Sequence, residues 1–334
     1  MLSGDKVQRR HLPNQMKVNE PESLLYLSRS TLEALDITTA EVVASIEHLI
    51  RGRGQSRAWN APKSVITPPD GRYMMATLSA SDDPPYMAVK SLILNPRNRE
   101  RGLSDINSLV TLLDSESGLP LAVMDGNWVT AVRTAGLSAV AAKRLARPES
   151  SIAAFIGCGV QANSHLRALA ALFPLQEVRA FGRGSTNRDA LCQVAEEMGF
   201  SAVPSSSARE AVTGADLIVS SVTLSPDLVP FVDARWLTPG VFATVTDLGT
   251  SWMNESMSAF DRIVIDDVEQ EARMPEPLLD PALVSGDITG LVDGEVSGRC
   301  SDDERTAFVF RGMALGDLAL AALAYQHAGE TSAP

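Results

Sequence analysis

Residues 151–162 read Ser-Ile-Ala-Ala-Phe-Ile-Gly-Cys-Gly-Val-Gln-Ala: an apolar run that breaks into Gly157-x-Gly159-x-x-Ala162 and goes on at helical spacing. Gly157 permits a tight turn, Gly159 lets the backbone approach a pyrophosphate, and Ala162 lets the helix sit close on the strand. The free N–H groups of that helix, with Val160 and Gln161 in its first turn, and its positive dipole end suit phosphate. Such a hexamer is a weak signal alone and a strong one at a strand–helix turn. Here the context is present. Residues 150–270 alternate short apolar runs (151–156, 177–181, 216–222, 241–247, 262–266) with helical stretches (161–173, 187–198, 207–212). That alternation predicts a parallel sheet wound with helices. Val222 and Thr223, ending the run at 216–222, fall in the expected cofactor set.

The tip of the second strand bears on which dinucleotide fits. An NAD site usually carries Asp or Glu there for the ribose hydroxyls. This chain reads Phe181-Gly182-Arg183-Gly184-Ser185-Thr186-Asn187-Arg188, without a carboxylate. Arg183, Arg188 and the Ser185 and Thr186 hydroxyls suit a 2′-phosphate through charge-assisted hydrogen bonds. NADP(H) is expected over NAD(H).

Before this region the period changes. Thr38-Thr39-Ala40-Glu41 fits a capping box ahead of Val42, Val43, Ile46, Leu49 and Ile50, which predicts an amphipathic helix ending near Gly52 and Gly54. Residues 63–67 and 72–77 flank Pro68-Pro69-Asp70-Gly71 as a hairpin, 85–94 reads as a strand, and 109–114 and 120–124 read as another hairpin. Asp125-Gly126 reads as a further turn into residues 127–132, so that residues 60–132 form a strand-rich module. Helix is expected from Thr134 to Ala146. A last apolar helix, 314–326, can pack back on the first module. Residues 1–22 read as a polar tail or a dimer-clasping arm.

Composition excludes several classes. Lys and Arg number 29 against 41 Asp and Glu, a net charge of −12, which argues against a general nucleic-acid binder. Cys158, Cys192 and Cys300 are widely spaced, and the four histidines form no metal-binding spacing. No apolar run approaches the roughly 20 residues of a membrane span, and the polar N-terminus has no signal-peptide core. A cytoplasmic protein without metal, nucleic-acid or membrane partners is expected.

Further segments carry a resemblance: Ala61-Pro62-Lys63, Val89-Lys90, Asn95-Pro96-x-Asn98 with Gly102-Leu103, Leu112-Leu113-Asp114, Ser117-Gly118-x-Pro120-Leu121, Val129-Thr130-Ala131-Val132-Arg133-Thr134-Ala135 and Ala141-Ala142-Lys143. With the glycine turn at its interval, these make the chain resemble the ornithine cyclodeaminase/mu-crystallin family from about residue 25 to 327. The resemblance implies an α/β fold: a Rossmann domain (134–309) inserted in an α+β domain (1–133 plus 310–334) that binds substrate and forms a homodimer through its sheet. It implies a nicotinamide cofactor and a small amino or imino acid substrate. Carried over by motif, Lys63 and Arg133 hold the substrate carboxylate, Lys90 serves the reacting centre, and Thr134 lies against the cofactor. Met75 and Asp105 join the substrate set.

Elementary chemistry agrees: a carboxylate needs a cation, and reduction of C=N needs a hydride donor and a proton donor. Lys90 sits in an otherwise apolar strand, where desolvation lowers its pKa. The chain departs from the family pattern in three places. Pro-Pro-Arg is replaced by Ala61-Pro62-Lys63. Asp105 stands where cyclodeaminases often carry a small hydroxyl residue. Where the family reads Gly-x-Asp-x-Pro-Gly-Lys-x-Glu, this chain reads Thr246-Asp247-Leu248-Gly249-Thr250-Ser251-Trp252-Met253-Asn254-Glu255. Asp247 is the nearest carboxylate to the family's acid–base Asp, about two residues out of register. The expected activity is NADPH-dependent reduction of a 2-imino acid such as a pyrroline- or piperideine-carboxylate, or a related amino-acid dehydrogenation. The alternatives are a cyclodeaminase that recycles NAD, a siderophore-precursor dehydrogenase, and a dinucleotide-binding protein without turnover.

Overall fold

The computed structural model describes residues 24–331 apart from residue 226. The expectation for residues 1–22 lies outside them. Two sheets carry the chain. The first is mixed and has the order β1-β7-β6-β5-β4-β2, with β3 paired to β4. Its strands are β1 (Leu25–Leu27), β2 (Ala58–Asn60), β3 (Ser64–Ile66), β4 (Tyr73–Ser81), β5 (Tyr86–Leu94), β6 (Ile106–Asp114) and β7 (Pro120–Asp125). The hairpins expected around residues 70 and 117 are present. Helix α1 (Arg29–Glu33) precedes α2 (Thr39–Gly54), which starts on the expected capping box: Thr38 Oγ1 accepts the Glu41 N–H, and the Glu41 carboxylate accepts the Thr38 N–H.

Strand alternation separates the two faces of this sheet. One row runs Thr77, Lys90, Val110, Met124 and Leu27 across β4, β5, β6, β7 and β1, and every member is buried. The opposite face exposes Tyr26, Trp59, Ile66, Met74, Leu78, Met87, Ile93 and Leu109.

Residues 127–132 correct the strand-rich reading. They lie inside α3 (Gly126–Leu145), which begins eight residues earlier than expected. The Asp125 carboxylate accepts the Trp128 N–H at 2.7 Å, so Asp125 is an N-cap and not a hairpin residue. Gly126 is needed for closeness: a Cβ there would lie 2.6 Å from the Ser108 carbonyl carbon on β6. The Asp-Gly signal is shared by hairpin turns and helix starts, and packing chose the second. Helix α3 contacts α2, α9 and β6, and also α4, β12 and β15, so it touches both sheets.

The second sheet is wholly parallel, in the order β10-β9-β8-β11-β12-β15-β13-β14. Its strands are β8 (Ile152–Ile156), β9 (Glu177–Phe181), β10 (Ser201–Pro204), β11 (Leu217–Ser220), β12 (Phe242–Val245), β13 (Arg262–Ile265), β14 (Val284–Asp287) and β15 (Thr306–Val309). Helices α4 (Val160–Ala170), α5 (Ser185–Glu197), α6 (Ala208–Val212), α7 (Val268–Glu271) and α8 (Ile288–Asp293) intervene. Strands β10-β9-β8-β11-β12 follow the doubly wound order of a Rossmann fold, with the switch point between β8 and β11, and β15, the last of the described strands in chain order, then stands between β12 and β13. Strands β10, β14 and β15 escaped the sequence reading: β10 (Ser-Ala-Val-Pro) and β14 (Val-Ser-Gly-Asp) hold few apolar residues, and β14 and β15 lie beyond residue 270, where the alternation was read to end. Helix α9 (Ala314–Thr331) returns to pack on β4, β5 and β6. No helix among the described residues is long and apolar enough to cross a membrane.

Candidate active site

Lys90 points inward from the middle of β5 and is 1% exposed. Its Nζ donates to Asp317 Oδ1 at 2.8 Å. Asp317 lies in the first turn of α9, a single carboxylate on an otherwise apolar stretch. Thr77, opposite Lys90 on β4, donates to Asp317 Oδ2 at 3.4 Å. Arg133, on α3, places Nε 3.0 Å from Asp317 Oδ1. That contact lacks hydrogen-bond alignment, and Arg133 Nη1 is buried with no hydrogen-bond partner among the described residues. Lys63, between β2 and β3, donates from Nζ to the Arg311 carbonyl at 2.7 Å. The fold therefore brings Lys63, Lys90 and Arg133 into one electrostatic cluster from three separate elements.

Burial lowers both lysines to about 8; Asp317 and the neighbouring Arg133 act on Lys90 in opposite directions, as Asp266 and Arg133 do on Lys63. For Asp317 burial works against ionisation, yet Lys90, Arg133 and Lys63 together hold its carboxyl below the usual range. A buried acid ringed by cations stays charged. The Arg133 guanidinium is seated against the turn before α9: a Cβ on Gly312, whose φ is +99°, would fall 2.7 Å from Nη1.

The sequence reading missed Asp317, Asp266 and Arg311. One signal was available for Asp317, since a lone charge in an apolar helix needs a partner. Met75 lies on β4 two residues before Thr77, on the same face and half-buried. Asp105 is half-buried in the loop ahead of β6, where its carbonyl accepts the Asn95 N–H. Asp247 is buried after β12 and tied elsewhere: Ser251 Oγ donates to it at 2.8 Å, Ser220 Oγ at 3.2 Å and the Val222 N–H at 3.2 Å. Burial raises its pKa against those donors. Its visible work is to fasten the segment that follows β11.

The glycine turn joins β8 to α4 at the switch point. Gly157 has φ +90°, and a Cβ there would strike the Ser221 carbonyl oxygen at 2.7 Å. A Cβ on Gly159 would meet nothing within 4 Å, and α4 has no side-chain cap. An uncapped helix end beside open space fits a dinucleotide pyrophosphate. Val160 is exposed in the first turn and Gln161 half-buried, with Gln161 Oε1 lacking a partner among the described residues. Val222 and Thr223 follow β11 across from the turn. Thr134 is buried on α3, and its Oγ1 donates to the Thr130 carbonyl at 2.6 Å.

At the tip of β9, α5 starts after Gly184, again without a side-chain cap. Arg183, Ser185 and Thr186 are exposed there, while Arg188 pairs with Asp189 at 2.8 Å.

Residues 26–332 match the model of the ornithine cyclodeaminase/mu-crystallin family. The chain is 32% identical over 319 residues to the alanine dehydrogenase of Archaeoglobus fulgidus, covering 91% of this chain and 95% of that one. It superposes on Thermococcus litoralis Δ1-pyrroline-2-carboxylate reductase in complex with NADH and L-proline with a TM-score of 0.85 at 28% identity, covering 92% and 98% of the two chains. An archaeal alanine dehydrogenase dimer with bound NAD gives 0.83 at 29% identity, covering 93% and 97%.

Proposed function

The chain belongs to the ornithine cyclodeaminase/mu-crystallin family, and from that premise we propose that it is an NADPH-dependent reductase of a small 2-imino acid. It is a nicotinamide-dependent oxidoreductase acting on C–N bonds, as its similarity to alanine dehydrogenase and pyrroline-2-carboxylate reductase supports. The observation that carries the finer reading is the convergence of Lys63, Lys90 and Arg133, with Arg133 Nη1 buried and unsatisfied. A buried guanidinium N–H without an acceptor is costly, and a substrate carboxylate supplies the acceptor.

In this reading Arg133 and Lys63 bind the carboxylate. Lys90, with a pKa of about 8, is mostly protonated at neutral pH and gives a proton to the substrate nitrogen. Asp317 holds the Lys90 ammonium in place between proton transfers. The bound nicotinamide supplies a hydride from C4. Residues 134–309 hold the cofactor through Gly157, Gly159, Val160, Gln161, Val222, Thr223 and Thr134. Residues before 134 and after 309 hold the substrate.

Arg183 and the uncapped start of α5, with Ser185 and Thr186, support a 2′-phosphate and hence NADPH. Arg188 is a weaker contributor because Asp189 already engages it. The apolar outer face of the first sheet supports a homodimer formed through it.

The test mixes the protein with NADPH or NADH and a panel of preformed cyclic imines, 2-oxo acids with amines, and diamines. Stoichiometric loss of reduced-nicotinamide absorbance with an imino acid is expected, with a lower KM for NADPH. Ammonia release from a diamine without net cofactor consumption would overturn the reductase reading. Arg183→Ala should raise the KM for NADPH and leave that for NADH unchanged.

A further inference from the structure

Lys63 stands where the resemblance places an arginine, and the structure surrounds it with a support that the sequence did not reveal. Strands β13 and β15 are neighbours, and their ends carry Asp266 and Arg311. The Arg311 carbonyl accepts Lys63 Nζ at 2.7 Å, and the Arg311 N–H reaches Asp266 Oδ1 at 3.4 Å. The backbone of this one residue is thus held between the amine and the carboxylate through its two adjacent peptide units. The Arg311 side chain pins it from the far side, pairing with Glu271 through Nε at 2.7 Å and Nη2 at 3.2 Å. Asp266 is 1% exposed, and its Oδ2 has no hydrogen-bond partner among the described residues. Burial pushes the Asp266 carboxyl up while Lys63 and the Arg311 N–H pull it down, and a buried carboxylate with a free oxygen is tolerated where a cation answers it.

We propose that Asp266, through its charge and through the Arg311 backbone, is a positioning residue that keeps Lys63 an ammonium aimed at the substrate carboxylate. This rests on the carboxylate-binding role given to Lys63 above. The groups facing Lys63 are Asp266 and Asp317, which favour its charge, and Arg133, Arg311 and Lys90, which oppose it. Burial is the largest influence and also opposes it. Without Asp266, one carboxylate faces three cations, and Lys63 gives up its proton at lower pH. Arginine would not need this support, because it does not deprotonate in proteins.

The chain has five lysines, at 6, 17, 63, 90 and 143, so the full-length protein labelled with 13C at lysine Cε gives a tractable titration. Lys63→Arg identifies the Lys63 signal. The Lys63 midpoint should fall by about one unit or more in Asp266→Asn, roughly a tenfold loss of proton affinity, and Lys90 should move less. An unmoved Lys63 midpoint in a folded Asp266→Asn protein overturns the proposal. If that variant does not fold, Lys63→Met gives the reciprocal measurement. The Asp266 carboxyl midpoint should then rise, and an unmoved one overturns the proposal equally.

These readouts need no substrate, so they stand apart from any failure of the reductase reading. With an active imino acid, Asp266→Asn should raise KM above neutral pH with little change in kcat. The Lys63→Arg/Asp266→Asn double variant should remove that pH dependence.

Discussion

Lys90 Nζ and Asp317 Oδ1 lie 2.8 Å apart, both almost wholly shielded from solvent, and join the centre of β5 to the first turn of α9. Arg133 shares the same carboxylate oxygen at 3.0 Å. Asp317→Asn would leave two buried cations facing a neutral amide. Removing one partner of a buried pair costs about 3–5 kcal/mol, so its urea-unfolding free energy should fall by that order. Pairing it with Lys90→Met should recover part of the loss. Independent, additive effects of the two substitutions would mean that the groups do not interact.

Gly312→Ala should weaken substrate binding, lower stability through backbone strain, and spare the cofactor. The new methyl group would overlap Arg133 Nη1, at a backbone φ of +99°, so the guanidinium must shift. The loss of one charge-assisted hydrogen bond, about 1.5–3 kcal/mol, corresponds to a KM for the imino acid raised by about 10- to 100-fold. NADPH binding, followed by fluorescence titration, should be unchanged.

Lys90→Ala should reduce kcat by about 10²–10⁴-fold while NADPH still binds. In the parent enzyme kcat/KM should decline as pH rises through about 8, where Lys63 and Lys90 lose their protons. Stability should move the other way. Both folded-state pKa values lie below the ordinary 10.5, so between about 8 and 10.5 the unfolded chain binds more protons than the native one. Stability therefore rises with pH across that window. Parallel pH–rate and urea-midpoint curves check both signs.

His165 should weaken the fold in acid. It is fully buried on α4, its Nδ1 2.7 Å from the Gln161 carbonyl and its Nε2 2.8 Å from Ser138 Oγ, which lies 2.7 Å from Thr244 Oγ1. A carbonyl only accepts, so Nδ1–H donates to it and Nε2 accepts from Ser138. Burial lowers the pKa to about 4. Between 6.5 and 4 the unfolded chain binds the extra proton, so stability is lost as pH falls across that range, up to about 3 kcal/mol. His165→Asn should flatten this part of the stability curve, and an unchanged slope would assign the acid sensitivity to other groups.

Leu78→Lys should shift the protein towards a monomer on size-exclusion chromatography. Leu78, on β4, is 48% exposed in the apolar sheet face, and a charge there cannot be buried against a second copy without a large desolvation cost. A dimer of unchanged affinity would place the interface elsewhere.

How much of this was legible in the sequence depended on range. Local order was readable where a rule acts within a few residues: the Thr38–Glu41 capping box, the turns near residues 70 and 117, and the Gly157–Ala162 turn between an apolar run and a helix. Strands β10 and β14 were not, because Ser-Ala-Val-Pro and Val-Ser-Gly-Asp hold too few apolar residues to stand out, whereas the equally short β11, β12 and β13 are buried apolar runs. Asp125-Gly126 misled because a short acidic side chain followed by glycine serves both a hairpin and a helix start. The contact of Gly126 with β6, distant in sequence, made the choice.

By itself, then, the sequence determined the doubly wound sheet, the dinucleotide turn and the cationic residues Lys63, Lys90 and Arg133, since each is written in spacing or motif. Only the tertiary structure decided what stands beside those cations. Asp317 lies 227 residues from Lys90 in the chain, and the Arg311 carbonyl lies 248 residues from Lys63. Charge, desolvation and hydrogen bonding act over a few ångströms of space, and no local pattern of side chains encodes which distant groups the fold will bring within that distance.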